Sequence, residues 1–192
     1  GESGCGKSTL GRTILRLQEP TDGQILYDGK DITKYNRRQM KQMRQNMQLI
    51  FQDPYASLDP RKSVVEIIAE YMIINRTYPS KKEIYNYAAH LMDIVGLARR
   101  YANAYPHELD GGRRQRIGIA RALSLHPKFI VCDEPVSALD VSIQAQILNL
   151  LMDLQDEMNL TYMFVTHDLS VVKHISNHIM VMYLGQCLEL ST

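Results

Sequence analysis

The sequence predicts an α/β fold: a mainly parallel sheet, a small antiparallel β part and an inserted helical region. Three observations predict it. A glycine-rich turn, Gly1-Glu-Ser-Gly-Cys-Gly-Lys-Ser-Thr9, leads straight into an amphipathic helix. Three short apolar runs, Met47–Phe51, Phe129–Cys132 and Thr161–Thr166, each end in polar residues, as strands buried in a parallel sheet do. Between the first two runs, from Leu58 to about Pro127, apolar residues recur at helical spacing.

The opening turn fills every fixed position of G-x-x-x-x-G-K-[ST] from Gly1 to Ser8. Its glycines let the backbone curl so that several N–H groups point into one concavity, which the positive end of the following helix also faces. Gly1, Ser3, Gly4, Cys5, Gly6, Lys7, Ser8 and Thr9 are therefore the candidate phosphate-binding residues. Lys7 can reach the β- and γ-phosphates, and the Ser8 hydroxyl can ligate Mg²⁺. A loop of this kind follows a buried strand, whereas this chain starts at the loop. The sequence is accordingly read as lacking its N-terminal strand or strands.

Leu10, Ile14 and Leu17 place a helix after the loop, ended by Pro20 and Thr21-Asp22-Gly23. Gln24–Tyr27 reads as a strand and Asp28-Gly29 as a tight turn. Arg37, Arg38, Lys41 and Arg44 lie on an exposed helix and read as a solvated face. The strand Met47–Phe51 ends at Gln52, whose side chain is thereby directed toward a ligand, near Mg²⁺ or an attacking water. A merely solvated loop glutamine is the plainer alternative. Val64–Ile74 forms one helix. Ser80 and Glu83 form a capping box for the next, with Ile84, Ala88, Leu91, Met92 and Val95 on one face and Gly96 as its stop.

After Gly111-Gly112 a helix begins with Arg113, Arg114 and Arg116 crowded into its first turns. Cations there oppose the helix dipole. Either an anion binds at that end, or Asp110 caps it and screens the arginines; the residues alone weigh these equally. Phe129–Cys132 ends in Asp133-Glu134. Asp133 can hold Mg²⁺ through water and Glu134 can orient the attacking water. Ser137–Asp140 is a loop before a long helix marked by Ile143, Ile147, Leu150, Leu151, Leu154 and Met158. Thr161–Thr166 ends in His167, at the same sheet edge as Asp133 and able to contact a γ-phosphate, although a lone histidine is more often structural. Ile179–Leu184 and Cys187–Leu190 read as final strands.

Composition excludes several classes. The 192 residues suit one domain, or one with a subdomain, and the net charge of +1 gives no electrostatic footprint for nucleic acid. Three scattered cysteines have no metal spacing and imply a reducing compartment. No apolar run approaches the roughly 20 residues of a membrane span.

Together these motifs resemble the ATP-binding subunit of ABC transporters, over essentially the whole chain. The resemblance implies a P-loop NTPase (RecA-like) core at 1–57 and 128–192, with part of a β subdomain at about 21–50. It makes 58–127 an inserted helical subdomain. In the family's terms Gly1–Ser8 is Walker A, Gln52 the Q-loop glutamine and Phe129–Glu134 Walker B with its catalytic glutamate. Leu109, Asp110, Gly111, Gly112 and Arg113 stand at the signature motif that faces a partner's ATP. Ser137, Ala138, Leu139 and Asp140 form the D-loop, and His167 is the switch histidine. Glu134, His167 and Gln52 are thus the implied catalytic residues, and Ser8, Gln52 and Asp133 the Mg²⁺ ligands. Asp53–Arg61, Tyr105–Glu108 and Pro135–Ser142 look like the oligopeptide/dipeptide (and nickel) importer branch.

The resemblance implies ATP and Mg²⁺ as cofactors, and ATP hydrolysis coupled to transport through closure of a dimer. The implied partners are a second ABC ATPase subunit in a heterodimer, transmembrane permease subunits and, indirectly, an extracytoplasmic solute-binding protein. No nucleic acid is expected, and the implied location is peripheral, on the cytoplasmic face of the cell membrane. Two alternatives stand beside this reading: a soluble ABC-type ATPase acting on nucleic acid or ribosomes, and a nucleotide-binding subunit with a hydrolysis-poor composite site. The second arises because Leu109-Asp-Gly-Gly-Arg113 departs from the family's Leu-Ser-Gly-Gly-Gln: an acceptor-only carboxylate replaces a hydroxyl donor.

Overall fold

In the computed structural model, which describes residues 4–191, the glycine-rich loop turns directly into helix α1 (Lys7–Ile14). Gly6 caps that helix at φ 82°, a left-handed conformation that an L side chain resists. The apolar spacing out to Leu17 predicts a longer helix than the one observed. Arg16 is left-handed at φ 53°, and its guanidinium bonds the carbonyls of Ile32 and Thr33. Arg16 N–H and Leu17 N–H bond back to the carbonyls of Thr13 and Arg12. These tertiary and closing bonds end the helix, and Leu17 is left exposed.

A short antiparallel hairpin follows, β1 (Leu26–Tyr27) and β2 (Lys30–Asp31), joined through Asp28 and Gly29 with positive φ at both. Such a pair is what a two-residue hairpin turn needs. Helix α2 (Arg37–Asn46) is capped reciprocally by Asn36 and Gln39. Its basic face is only partly a solvated one, because Arg44 bonds the carbonyls of Leu15 and Arg16 and ties α2 to the end of α1.

Strand β3 (Met47–Ile50) leads through the one-turn helix α3 (Pro54–Ser57), capped by Asp53, to α4 (Val64–Asn75). Helix α5 (Lys81–Ile94) starts where Ser80 Oγ accepts from Glu83 N–H and donates to the Glu83 carboxylate. Helix α6 (Gly111–Leu123) leads to β4 (Phe129–Asp133), and α7 (Val141–Met158) to β5 (Thr161–Val165). Helix α8 (Leu169–Ile175) precedes the antiparallel strands β6 (Ile179–Tyr183) and β7 (Gln186–Ser191).

The sheet that positions the site has the order β3-β4-β5, all parallel, with Ile50 opposite Cys132 and Asp133 opposite Val165. Alternation along β4 splits the core into two. Val131 packs with Leu15, Ile32, Met40 and Met47 on the α1/α2 side. Ile130 and Cys132 belong to the larger cluster, which runs through α4, α5, α6 and α7. A cleft of about 490 Å³ separates β5 from β6, lined by Thr161–Thr166, Ile179, Met180 and Lys7 among others. The turn between β6 and β7 reaches back to the glycine-rich loop, where Gly185 N–H donates to Cys5 O at 2.8 Å.

Helix α1 lies against β4 at a glycine. A Cβ on Gly11 would meet Val131 Cγ1 at 2.8 Å, closer than carbon atoms tolerate. Gly11→Ala is expected to destabilise the protein. Overpacking of this kind costs about 1–3 kcal/mol, against roughly 1 kcal/mol gained in helix propensity. A lowered denaturant midpoint at unchanged m-value measures it.

Candidate functional site

Four chain segments meet at one edge of the parallel sheet. Backbone N–H groups at the start of an α-helix have no intrahelical acceptor, and Gly6 supplies no side chain to cap them. The first turn of α1 is therefore a ready anion site. Lys7 Nζ lies 3.9 Å from Cys5 Sγ within this loop. Cys5 is buried, Ser8 half-buried and Thr9 exposed. Gly1 and Ser3, two of the expected phosphate-binding residues, lie outside the described residues.

Ser8 Oγ donates to Asp133 Oδ1 at 2.6 Å, joining the start of α1 to the end of β4. Asp133 is 3% exposed. Its second oxygen, Oδ2, lies 3.8 Å from Arg12 Nη2, one helical turn beyond Ser8. Arg12 escaped the sequence reading. The signal was present, since positions i and i+4 share a helix face, but nothing in the sequence says which face meets β4. Beside Asp133, burial pushes the Cys132 thiol far above its ordinary range, so it stays protonated.

Glu134 sits at φ 47°, with its N–H bonded to Val165 O at 2.9 Å. A non-glycine residue in this region is uncommon and is held there by its surroundings. Its carboxylate accepts from Gln52 Nε2 at 3.0 Å through Oε2. Oε1 lies 3.2 Å from His167 Nδ1. The ends of β3, β4 and β5 thus contribute Gln52, Glu134 and His167 to one hydrogen-bonded chain. Gln52 is joined to Glu134 and not to the Ser8–Asp133 pair.

The expected metal ligands suit a hard cation. Ser8 and Asp133 present a hydroxyl and a carboxylate side by side, and Mg²⁺ is held by one or two carboxylates with substrate phosphates and water rather than by an all-protein cage.

The segment Leu109–Arg113 stands apart. Among the described residues, no hydrogen bond or ion pair links it to Ser8, Asp133 or Glu134. Asp110 caps α6 by accepting from Arg113 N–H at 2.8 Å, and its other oxygen pairs with the Arg113 guanidinium. The capping contact that the sequence allowed is therefore formed. Helix α6 also begins at Gly111 rather than after Gly112, because Asp110 already supplies the cap. Arg113 lies over the Tyr101 ring, 4.9 Å from its centroid, a contact the sequence did not signal. A Cβ on Gly112 would meet Ile143 Cγ2 at 2.7 Å, so α6 abuts α7 closely there.

The loop Ser137–Asp140 connects the two regions. Ser137 Oγ donates to Glu134 O at 3.1 Å, and Leu139 lies against Gly111. Ala138 is exposed, and Asp140 stands at the N-terminus of α7. Loss of the α6 cap has a direct readout. Asp110→Ala is expected to lower unfolding free energy by about 1 kcal/mol, whereas Asp110→Ser, which keeps an acceptor, costs a few tenths. Equilibrium denaturation of both variants checks it.

The chain is similar to known proteins in sequence and in fold. A family model described as ABC transporter matches residues 1–137. The chain is 55% identical over 192 residues to the oligopeptide transport ATP-binding protein OppF of Bacillus subtilis, covering all of this chain and 63% of that protein. It is 52% identical to the dipeptide transport ATP-binding protein DppF of Escherichia coli, again over its whole length and 57% of the relative. The chain thus spans about six-tenths of the length of these relatives. Among solved structures, the post-hydrolysis dimer of the ATP-binding cassette MJ0796 bound to ADP and Pi superposes with a TM-score of 0.88 at 30% identity, covering all of this chain and 82% of that one. CbiO1 of Clostridium perfringens, part of the transporter complex cbiONQ, superposes with a TM-score of 0.88 at 28% identity, covering 99% of this chain and 74% of that one. By family model, sequence relatives and fold alike, this chain belongs to the ABC transporter family.

Proposed function

We propose that this chain is the ATP-hydrolysing subunit of an importer for oligopeptides or dipeptides, which it powers by ATP-driven closure of a dimer. The observation that carries the reading is the Ser8–Asp133 bond beneath the glycine-rich loop, beside a Glu134 held between Gln52 and His167. The names of the sequence relatives, ATP-binding proteins of oligopeptide and dipeptide transport, supply the substrate class.

The chain's own residues then have the following roles. The N–H groups of the loop and first turn of α1, from Gly4 to Thr9, bind the phosphates, and Gly1 and Ser3 extend that set. Lys7 neutralises the β- and γ-phosphates. Ser8 and Asp133 hold Mg²⁺, which when bound supplies charge stabilisation as the phosphoryl group departs. Glu134 orients the attacking water and accepts its proton. Gln52 and His167 fix the two oxygens of that carboxylate, and His167 is assigned the further role of contacting the γ-phosphate. Catalysis of this kind is mostly positioning plus electrostatics, so a rigid sheet edge is a suitable frame.

The same reading assigns the remaining segments. Residues 1–57 and 128–192 form the ATPase core and 58–127 a helical subdomain. Leu109–Arg113 faces ATP held by a second ABC ATPase subunit in a heterodimer, and Ser137–Asp140 lies at the junction. The subunit docks on transmembrane permeases at the cytoplasmic face, served indirectly by a solute-binding protein. No helix among the described residues is long and apolar enough to cross a membrane. Attachment through partners fits that.

ATP hydrolysis by the full-length protein, alone and mixed with a partner ATPase subunit, tests the reading. Turnover is expected in the mixture. Glu134→Gln is expected to slow it by about 10²–10⁴-fold while ATP binding persists, since only proton acceptance is lost. Absence of both binding and turnover in every combination would refute the proposal.

A further inference from the structure

We infer that Arg12 is a positioning residue for the metal-binding carboxylate, gripping Asp133 on the side opposite Ser8. The inference rests on the ATP-binding reading above and deepens it. Helix α1 presents Ser8 and Arg12 one turn apart on one face. The absence of a Cβ at Gly11 brings that face close to β4, where a methyl group would lie 2.8 Å from Val131 Cγ1. Both side chains then reach the carboxylate at the strand end. Ser8 Oγ takes Oδ1 at 2.6 Å, and Arg12 Nη2 stands 3.8 Å from Oδ2.

The two ends of this ion pair are unequally buried. The Asp133 side chain is 5% exposed and that of Arg12 47%. A buried ionised carboxylate is costly unless partnered, because water no longer solvates it. Arg12 supplies a positive partner whose side chain is about half exposed, so burying the pair costs less on the cation side than on the carboxylate side. With one oxygen held by a hydroxyl and the other facing a guanidinium, the carboxylate plane cannot swing freely. Oδ1 and Ser8 Oγ stay adjacent, as two oxygen donors to one hard cation must. At 3.8 Å the guanidinium orients Oδ2 electrostatically without closing a short hydrogen bond on it. Groups that hold a ligating carboxylate in this way commonly matter to metal affinity nearly as much as the ligand itself.

The test compares Arg12→Leu and Arg12→Lys with the unsubstituted full-length protein. Binding of a fluorescent ATP analogue is titrated with Mg²⁺ and repeated without it. Arg12→Leu is expected to raise the Mg²⁺ concentration for half-saturation about tenfold, with affinity in the absence of Mg²⁺ unchanged. Arg12→Lys is expected to recover most of the loss. Thermal unfolding in metal-free, nucleotide-free buffer supplies a second readout: Arg12→Leu lowers Tm in the parent but not in an Asp133→Asn background. An unchanged or lowered Mg²⁺ requirement overturns the inference, as does an equal loss of metal-free nucleotide binding. Should the unsubstituted protein bind no ATP analogue, the proposed function falls, and the paired melts still decide whether Arg12 acts through Asp133.

Discussion

The hydrogen bond from Ser8 Oγ to Asp133 Oδ1 joins residues 125 positions apart and ties the glycine-rich loop to the central strand of the parallel sheet. Most of the surrounding structure serves to make that distance 2.6 Å. Helix α1 reaches β4 because Gly11 lets it lie against Val131. It stops after Ile14 because Arg16 is drawn to the carbonyls of Ile32 and Thr33, just past β2, and Arg44 of α2 then covers the exposed end. Gly185 N–H steadies the loop from the other side by donating to Cys5 O. A carboxylate as buried as Asp133 is stable only with partners in place. The loop, the helix and the strand are therefore mutually dependent.

A second constraint is the parallel register of β3, β4 and β5. Parallel strands point their C-terminal ends the same way, so the first one or two residues past each strand enter the same space. That is how Gln52, Glu134 and His167, from three distant segments, come to share one carboxylate. The left-handed backbone at Glu134 is part of the arrangement. It is anchored by the bond to Val165 O on the neighbouring strand and by Ser137 bonding back to Glu134 O. The site is thus built on sheet pairing, with loops adding only the polar tips.

Much of this was legible in the residues. The apolar runs at Met47, Phe129 and Thr161 predicted the three strands because a strand buried on both faces has no polar positions to spare. The polar residues ending those runs predicted Gln52, Glu134 and His167 for the same reason. The loop glycines and the Ser80/Glu83 pair marked the starts of α1 and α5. The misreadings share one cause. Leu17 fits the helical period of α1, yet lies beyond its end, because a tertiary bond from Arg16 outweighs local periodicity. Arg44 looked solvated, since its carbonyl partners lie 28 and 29 residues away.

The sequence by itself determined the order of the three parallel strands and of the longer helices between them, the glycine-rich pattern of Gly1–Ser8 and the identity of the acidic and polar strand ends. Those features depend on side-chain period, on glycine content and on neighbours within a few residues, all of which a linear chain displays. Only the tertiary structure showed that Asp110 caps α6 and pairs with Arg113. It likewise decided that Gln52 attends Glu134 and not the Ser8–Asp133 pair, and that Arg12 faces Asp133. Which rotamer a side chain takes, and which face of a helix meets the sheet, depend on packing between residues far apart in the chain. No local pattern encodes them.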